Sequence, residues 1–532
     1  MNIRDQIKKD VRQTTDNLQL TTDELEVDLA RTNDAKNGDF ATNLAMKLAK
    51  QAKQNPTEIA KKLAGSLQKQ GYIEKVEVAG PGFVNIFVKA EVWQKEVEKV
   101  LKETKDYGSN NLGKGKKARV EFVSANPTGP LHFGNARGGP LGDTLARVFE
   151  ASGYKVLREY IHNDIGGQVQ KLGETIANVA KGQKLEDQEY KGEYIKEIIE
   201  KIGDFKTPAE AGKLAVDMML DETLKDCEAM GIKFDKVYPE SGFVQSGDTE
   251  RAIAELDKKG FIKEKDGARW FAPNDEFLKD RETVVVKTDG SYTYFSNDIA
   301  YHKIKFAEGD DLVVDIFGAN HHGHVPRLQA VIKALGGDVS IFHVILYQWV
   351  RFKKGGEVIA MSKRSGNFVT AREVIEMVGS DAVRFFILMH DANSHIDFDL
   401  DLAREKSSKN PVFYVQYAHA RISSIMAKEE SRIAKGEIDY QLLATDYELN
   451  LIRKIARLPE LVEDISQTFA VNALTTYATE LADSFHKFYE NCKVLDSQNE
   501  EMTRARLGLV GATRITLANT LNLLGISAPA KM

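Results

Sequence analysis

The stretch Arg119–Gly138, RVEFVSANPTGPLHFGNARG, decides the fold. Arg119 to Ser124 reads as a buried strand. It runs through a Pro/Gly turn into a helical pattern that ends near Gly153. Strand, glycine turn and helix in that order predict the opening of a doubly wound α/β domain. Two further strand-like runs, Leu312–Phe317 and Ile341–Leu346, follow with a helical stretch between them. The segment 165–290 reads as amphipathic helix with a short strand region near its end, and is expected to be an insertion between two nucleotide-fold halves. From Asp401 onward one helical pattern follows another, which predicts an all-α bundle. Upstream, Asn43–Ala52 has a helical period, and two apolar runs flank a Gly80-Pro81-Gly82 turn. Gly108–Lys117 is the candidate linker. The expected architecture is a Rossmann-type α/β domain over 111–400, a small α+β domain over 1–110 and a helical domain over 401–532.

The bulk numbers agree with several domains. The chain has 532 residues, 42% of them hydrophobic and 29% charged, with only 12 prolines, so no large disordered region is expected. Its two cysteines, Cys227 and Cys492, form no CxxC pair, which argues against structural zinc and a disulfide framework. The start, MNIRDQIKKDV, lacks the apolar core of a signal peptide, and no apolar run is long enough to span a membrane. The expected location is the cytoplasm. A net charge of −6 lacks the basic footprint of a phosphate binder. A large enzyme can still carry a local basic stripe, so composition decides nothing about RNA.

Two short blocks carry chemistry. His132 and Gly134 sit at the strand-to-helix junction, where N–H groups at a helix start favour an anion and an imidazole can stabilise charge developing on phosphorus. Met361-Ser-Lys-Arg-Ser-Gly-Asn367 places a lysine and an arginine beside serine and glycine, which suits a clamp on departing pyrophosphate. Either block alone reads as a surface loop or a solvated basic turn. Together they stand in order, a nucleotide fold's length apart, each after a predicted strand. His321-His322-x-His324 invites a metal reading, since clustered imidazoles bind zinc. No carboxylate or cysteine nearby in the sequence completes such a site. Ligand contacts at the carboxyl end of a strand are expected instead, and no metal.

These blocks resemble the HIGH and KMSKS signatures of class I aminoacyl-tRNA synthetases, and the surrounding words resemble the arginyl enzymes. Those words are Ser124–Gly138, GDFATNLAMKLAK (Gly38–Lys50), VAGPGFVN (Val78–Asn85), GANHHGHVPRL (Gly318–Leu328), NPVFYVQYAHARI (Asn410–Ile422) and LLGISAP (Leu523–Pro529). Three positions depart from the pattern. Asn135 replaces the second histidine of HIGH, Ala360 replaces the first lysine of KMSKS, and Pro140 falls inside the expected signature helix. That proline is expected to kink the helix or delay its start.

The resemblance implies an arginine–tRNA ligase using ATP with Mg²⁺ as substrate, with arginine and its tRNA as partners, no membrane, and the monomeric habit of the family. It assigns His132, Asn135 and Lys363 to catalysis, and Gly134, His324, Met361, Ser362 and Lys363 to ATP. It assigns Glu121, Ser124, Asn126, Tyr294, Asp298 and His321 to arginine, with Asp298 and Tyr294 on the guanidinium. Two bland alternatives stand: Glu121 as an edge-strand charge, and Asp298 as the N-cap of a helix over Ile299–Phe306. The resemblance also implies an elbow-contacting N-terminal domain and a helical anticodon-binding domain. On the Asn410–Ile422 helix, Phe413, Tyr417 and Ala420 are expected in the core, and Tyr414, Gln416 and Arg421 toward RNA.

Overall fold

The computed structural model describes residues 2–20, 27–32, 34–359, 369–433 and 437–532. The loop 360–367, with Ala360, Met361, Ser362 and Lys363, lies outside the described residues. At the centre is a five-stranded parallel sheet. Its spatial order is Phe342–Tyr347, Leu312–Gly318, Lys117–Glu121, Lys155–His162 and Lys236–Pro239. The first of these five strands in the chain, Lys117–Glu121, thus lies in the middle, and the order reverses between it and Leu312–Gly318. That switch point opens a crevice at the strands' carboxyl ends, where open α/β sheets bind ligands. Val120, Val313, Val314 and Ile316 are buried, the near-continuous apolar pattern of strands covered by helices on both faces.

The structure corrects the expected insertion. Lys236–Pro239 lies within 165–290, yet it is the edge strand of the central sheet. Four residues, partly exposed at an edge, are too few to show a period. Lys155–His162 also escaped the sequence reading, because its polar Arg158 and Glu159 interrupt the apolar run. What stands apart is a helical cluster, Gly167–Ala180, Tyr194–Ile202 and Pro208–Ala229, with its own apolar core. A three-stranded antiparallel sheet formed by Ile262–Lys265, Ala268–Phe271 and Thr283–Val286 follows it.

The signature helix is in two pieces, Phe133–Ala136 and Gly138–Ala151. Pro140 is the third residue of the second piece, in the first turn, where its missing N–H would have had no intrahelical partner. The break comes before the proline, at Arg137.

The N-terminal part pairs Ala30–Arg31, Phe40–Thr42, Phe83–Val88 and Ile73–Ala79 in one antiparallel sheet, with helices at Ile3–Asn17, Leu44–Ala52, Pro56–Leu67 and Ala90–Glu103. The Gly80-Pro81-Gly82 turn joins its longest pair, as expected. This part docks on the C-terminal helices through a bidentate pair, Arg31 Nε and Nη2 donating to Glu460 at 2.7 and 2.9 Å. Arg4 adds a contact to Glu463 at 2.9 Å.

The C-terminal domain is helical, with Pro411–Ile433, Asp446–Ile455, Arg457–Thr468, Asn472–Asn491 and Glu500–Leu523. Its first helix corrects two expectations. Gln416 does not project outward: it is buried, donating to Asp381 Oδ2 at 2.7 Å and Ser527 O at 3.0 Å, and so ties the chain's end to the α/β domain. It stands four residues after buried Val412 and three before buried His419, inside the apolar stripe. Tyr417 is not core but 46% exposed, stacked nearly parallel on Phe413 with ring centroids 6.2 Å apart. These two rings, Tyr414 and His486 line an open cavity of about 390 Å³. Arg421 lies over the Tyr489 ring at 4.4 Å.

Candidate active site

The Lys117–Glu121 strand ends at the switch point and turns sharply. Val123 and Ser124 adopt φ of +69° and +39°, the left-handed region that costs a branched residue most. Such strain persists where surroundings over-determine it. Here Ser124 Oγ donates to Glu121 Oε1 at 3.0 Å and accepts the Ile161 N–H at 3.2 Å, while Tyr160 Oη donates to Ala125 O at 2.6 Å. Glu121 is buried, and its other oxygen accepts from Lys305. It lies on the sheet's central strand, which removes the edge-charge alternative. Asn126 is exposed and donates to Gln168 Oε1 at 3.1 Å.

His132 caps the Phe133–Ala136 turn: its Nδ1 accepts the Gly134 N–H at 2.8 Å. That bond assigns the tautomer carrying its proton on Nε2. A Cβ on Gly134 would come within 2.9 Å of the same Nδ1, so only glycine leaves the ring in place. Asn135, half-buried, accepts Tyr347 Oη at its carbonyl at 3.3 Å. Phe133 N donates to Val369 O at 3.1 Å and Ala371 N to Leu131 O at 2.8 Å, so Val369 and Ala371 are fastened beside His132. Arg137, which the sequence reading missed, fixes the junction from below. It is fully buried and donates to the carbonyls of Gln348, Asp391, Ala392 and Ser394. Burial pulls its guanidinium down to about 10.

Across the crevice the helix Tyr294–Ala307 begins with Thr293 as its N-cap residue. Asp298 is its fifth residue, which overturns the N-cap alternative. The residue is 6% exposed, and Oδ2 of its carboxylate accepts no hydrogen bond. His324 Nε2 lies 3.1 Å from that oxygen, an ion pair when the imidazole is protonated. Tyr294 exposes 46% of its surface, yet its phenol is crowded by acids: Asp298 first, then burial, Glu240 and Glu121, hold it well above its ordinary value. His321, exposed in the short turn after the Leu312–Gly318 strand, is pulled down by partial burial of its ring and then by His324. Among the described residues no group of three potential ligands could hold a metal ion.

Glu240 joins this acidic wall without having been foreseen, because the strand it follows was not recognised. It is buried, accepts from Asn297 at 3.0 Å and Asn163 at 3.3 Å, and is pushed by burial from 4.5 to about 8. The folded chain therefore holds its proton longer than the unfolded one. That contribution to stability is full below pH 4.5 and is lost as pH rises through 8. Glu240→Gln is expected to flatten the fall in melting temperature between those limits. Parallel melting profiles for variant and parent would refute it.

Comparison with known families places the whole chain. Residues 96–395 match the class I tRNA synthetase (R) catalytic domain, 1–88 the arginyl tRNA synthetase N-terminal domain, and 415–532 the DALR anticodon binding domain. The chain belongs to the arginyl-tRNA synthetase family. It is 43% identical over 523 residues to an arginine–tRNA ligase of Geobacter sp. (strain M21), covering 94% of this chain and 93% of the relative. An arginine–tRNA ligase of Oceanobacillus iheyensis is 39% identical over 558 residues, covering all of both chains. The arginyl-tRNA synthetase structure from Thermus thermophilus superposes with a TM-score of 0.83 at 22% identity, covering all of both chains, which speaks for the shared fold. His132, Asp298, Tyr294 and Ser124 all lie within the matched catalytic domain.

Proposed function

We propose that this arginyl-tRNA synthetase performs its ligation in that crevice, with the carboxylate of Asp298 receiving the guanidinium of arginine. The observation that carries the reading is the buried carboxylate of Asp298, whose Oδ2 accepts no hydrogen bond and whose charge lies close enough to the partly exposed Tyr294 to raise that phenol. A planar cation presenting paired donors is the natural partner of such a group. Tyr294 and Glu240 flank the guanidinium, while Ser124, Asn126 and Glu121 border the amino-acid end. His321 and His324 form the wall beside Asp298.

The arginine carboxylate attacks the α-phosphorus of Mg·ATP, forming arginyl-adenylate as pyrophosphate leaves. A terminal ribose hydroxyl of the tRNA then attacks the adenylate carbonyl and AMP departs. Catalysis is positioning plus charge stabilisation. His132 donates from Nε2 to the reacting phosphate, Gly134 admits the nucleotide, and Asn135 adds a neutral donor. Met361, Ser362 and Lys363, outside the described residues, are assigned to the phosphates through the resemblance. The division into 1–110, 111–400 and 401–532, a cytoplasmic location and a monomer complete the reading. Among the described residues no helix is long and apolar enough to cross a membrane.

The deciding experiment is arginine-dependent exchange of pyrophosphate into ATP, with and without tRNA whose 3′ end is oxidised. Exchange that requires arginine and rises with tRNA is expected; exchange supported equally by lysine would refute the pocket. Asn135→Ala is expected to cost roughly 1–3 kcal/mol of transition-state stabilisation, the penalty for an unpaired buried partner. Unchanged exchange kinetics would remove Asn135 from the site.

A further inference from the structure

We propose that Lys305, which lies beneath the pocket, is the positioning residue that holds both walls of the arginine site in register. This rests on the reading of Ser124, Glu121 and Asp298 as arginine-binding. Lys305 is 0% exposed and sits two turns along the helix that carries Asp298. Its ammonium donates to Glu121 Oε2 and to Asp315 Oδ1, the latter at 2.7 Å, and lies 4.2 Å from the Tyr301 ring centroid. A lysine has three N–H donors, and here two carboxylates and a ring face receive the charge.

Each carboxylate passes the constraint on. Glu121 accepts Ser124 Oγ on its other oxygen, and Ser124 is one of the two strained residues of that turn. Asp315 Oδ2 is 3.1 Å from His302 Nε2, and His302 Nδ1 is 2.8 Å from the Asp298 carbonyl oxygen. One branch thus ends on the first-strand wall and the other on the peptide of the guanidinium carboxylate. Glu121 and Asp315 are register partners on adjacent parallel strands. Two like charges so placed repel unless a cation lies between them. Because Lys305 also takes up the charge of Glu121, the carboxylate left for a guanidinium is that of Asp298.

The test uses the full chain. For Lys305→Met the KM for arginine is expected to rise on the order of 10–100-fold, the cost of small misplacement in a site built on fixed geometry. The KM for ATP should move far less. A purely structural lysine would lower the melting temperature and the fraction of active enzyme, leaving both KM values at wild type; that result overturns the proposal. Should Lys305→Met not fold, the double variant Lys305→Met with Asp315→Asn, which removes one charge of each sign, carries the same expectation. Asp298→Asn is measured alongside. If it leaves the arginine KM unchanged, the pocket reading falls and this proposal with it. If it raises that KM while the Lys305 variants do not, only the role of Lys305 is overturned.

Discussion

Replacing Asp298 with asparagine is expected to abolish the enzyme's discrimination between arginine and citrulline, which carries a neutral urea of nearly the same shape. Sites built to match a polar group reject the analogue lacking it by about 10⁴, because the site's own buried groups are left unpaired. Here the group is the carboxylate of a buried aspartate, with Oδ2 accepting no hydrogen bond. In the variant the burden reverses: a guanidinium would enter a pocket without its counter-charge. Truncating one partner of a buried charge pair costs about 2–5 kcal/mol, so kcat/KM for arginine should fall at least tenfold while citrulline becomes a better competitor. The competing account is that Asp298 only steadies its helix. Its fifth position and the capping place of Thr293 already weigh against that. Aminoacylation kinetics with both amino acids, beside a melting curve, separate the two. A variant less stable than the parent but unchanged toward arginine would return Asp298 to a structural role.

The second large effect is expected at His132. Its Nδ1 is committed to the Gly134 N–H, so the proton is held on Nε2. Loss of one preorganised donor to developing charge typically lowers the rate about 10²–10³-fold. His132→Ala should therefore slow pyrophosphate exchange by about that factor, with a smaller change in the KM for ATP. As a helix cap alone, His132 would contribute on the order of 1 kcal/mol to stability and nothing specific to turnover. Exchange at wild-type rate with a lowered melting temperature would leave it only the cap.

The sequence by itself determined much that is local or carried in a contiguous word. Helical period placed Leu44–Ala52, and apolar alternation around Gly80-Pro81-Gly82 placed a hairpin, because both follow from the spacing of side chains on one face. The strand, glycine turn and helix around His132 were legible for the same reason, as was the helical C-terminal domain. Several quoted segments pointed to the family, although each signature alone was short. The tertiary structure decided what depends on partners far apart in the chain. Lys236–Pro239 is a strand only because Lys155–His162 supplies its hydrogen bonds. Gln416 is buried only because Asp381 and Ser527 arrive to satisfy its amide. Arg137 can be dry because four carbonyls from two distant loops converge on it. Glu121 and Asp315, 194 positions apart, become neighbours by strand register, and Lys305 between them turns two repelling charges into a support for the pocket. A charged residue in a sequence reads as surface, since burying an ion unaided is costly. Only the fold brings the opposite charges and carbonyls that remove the cost.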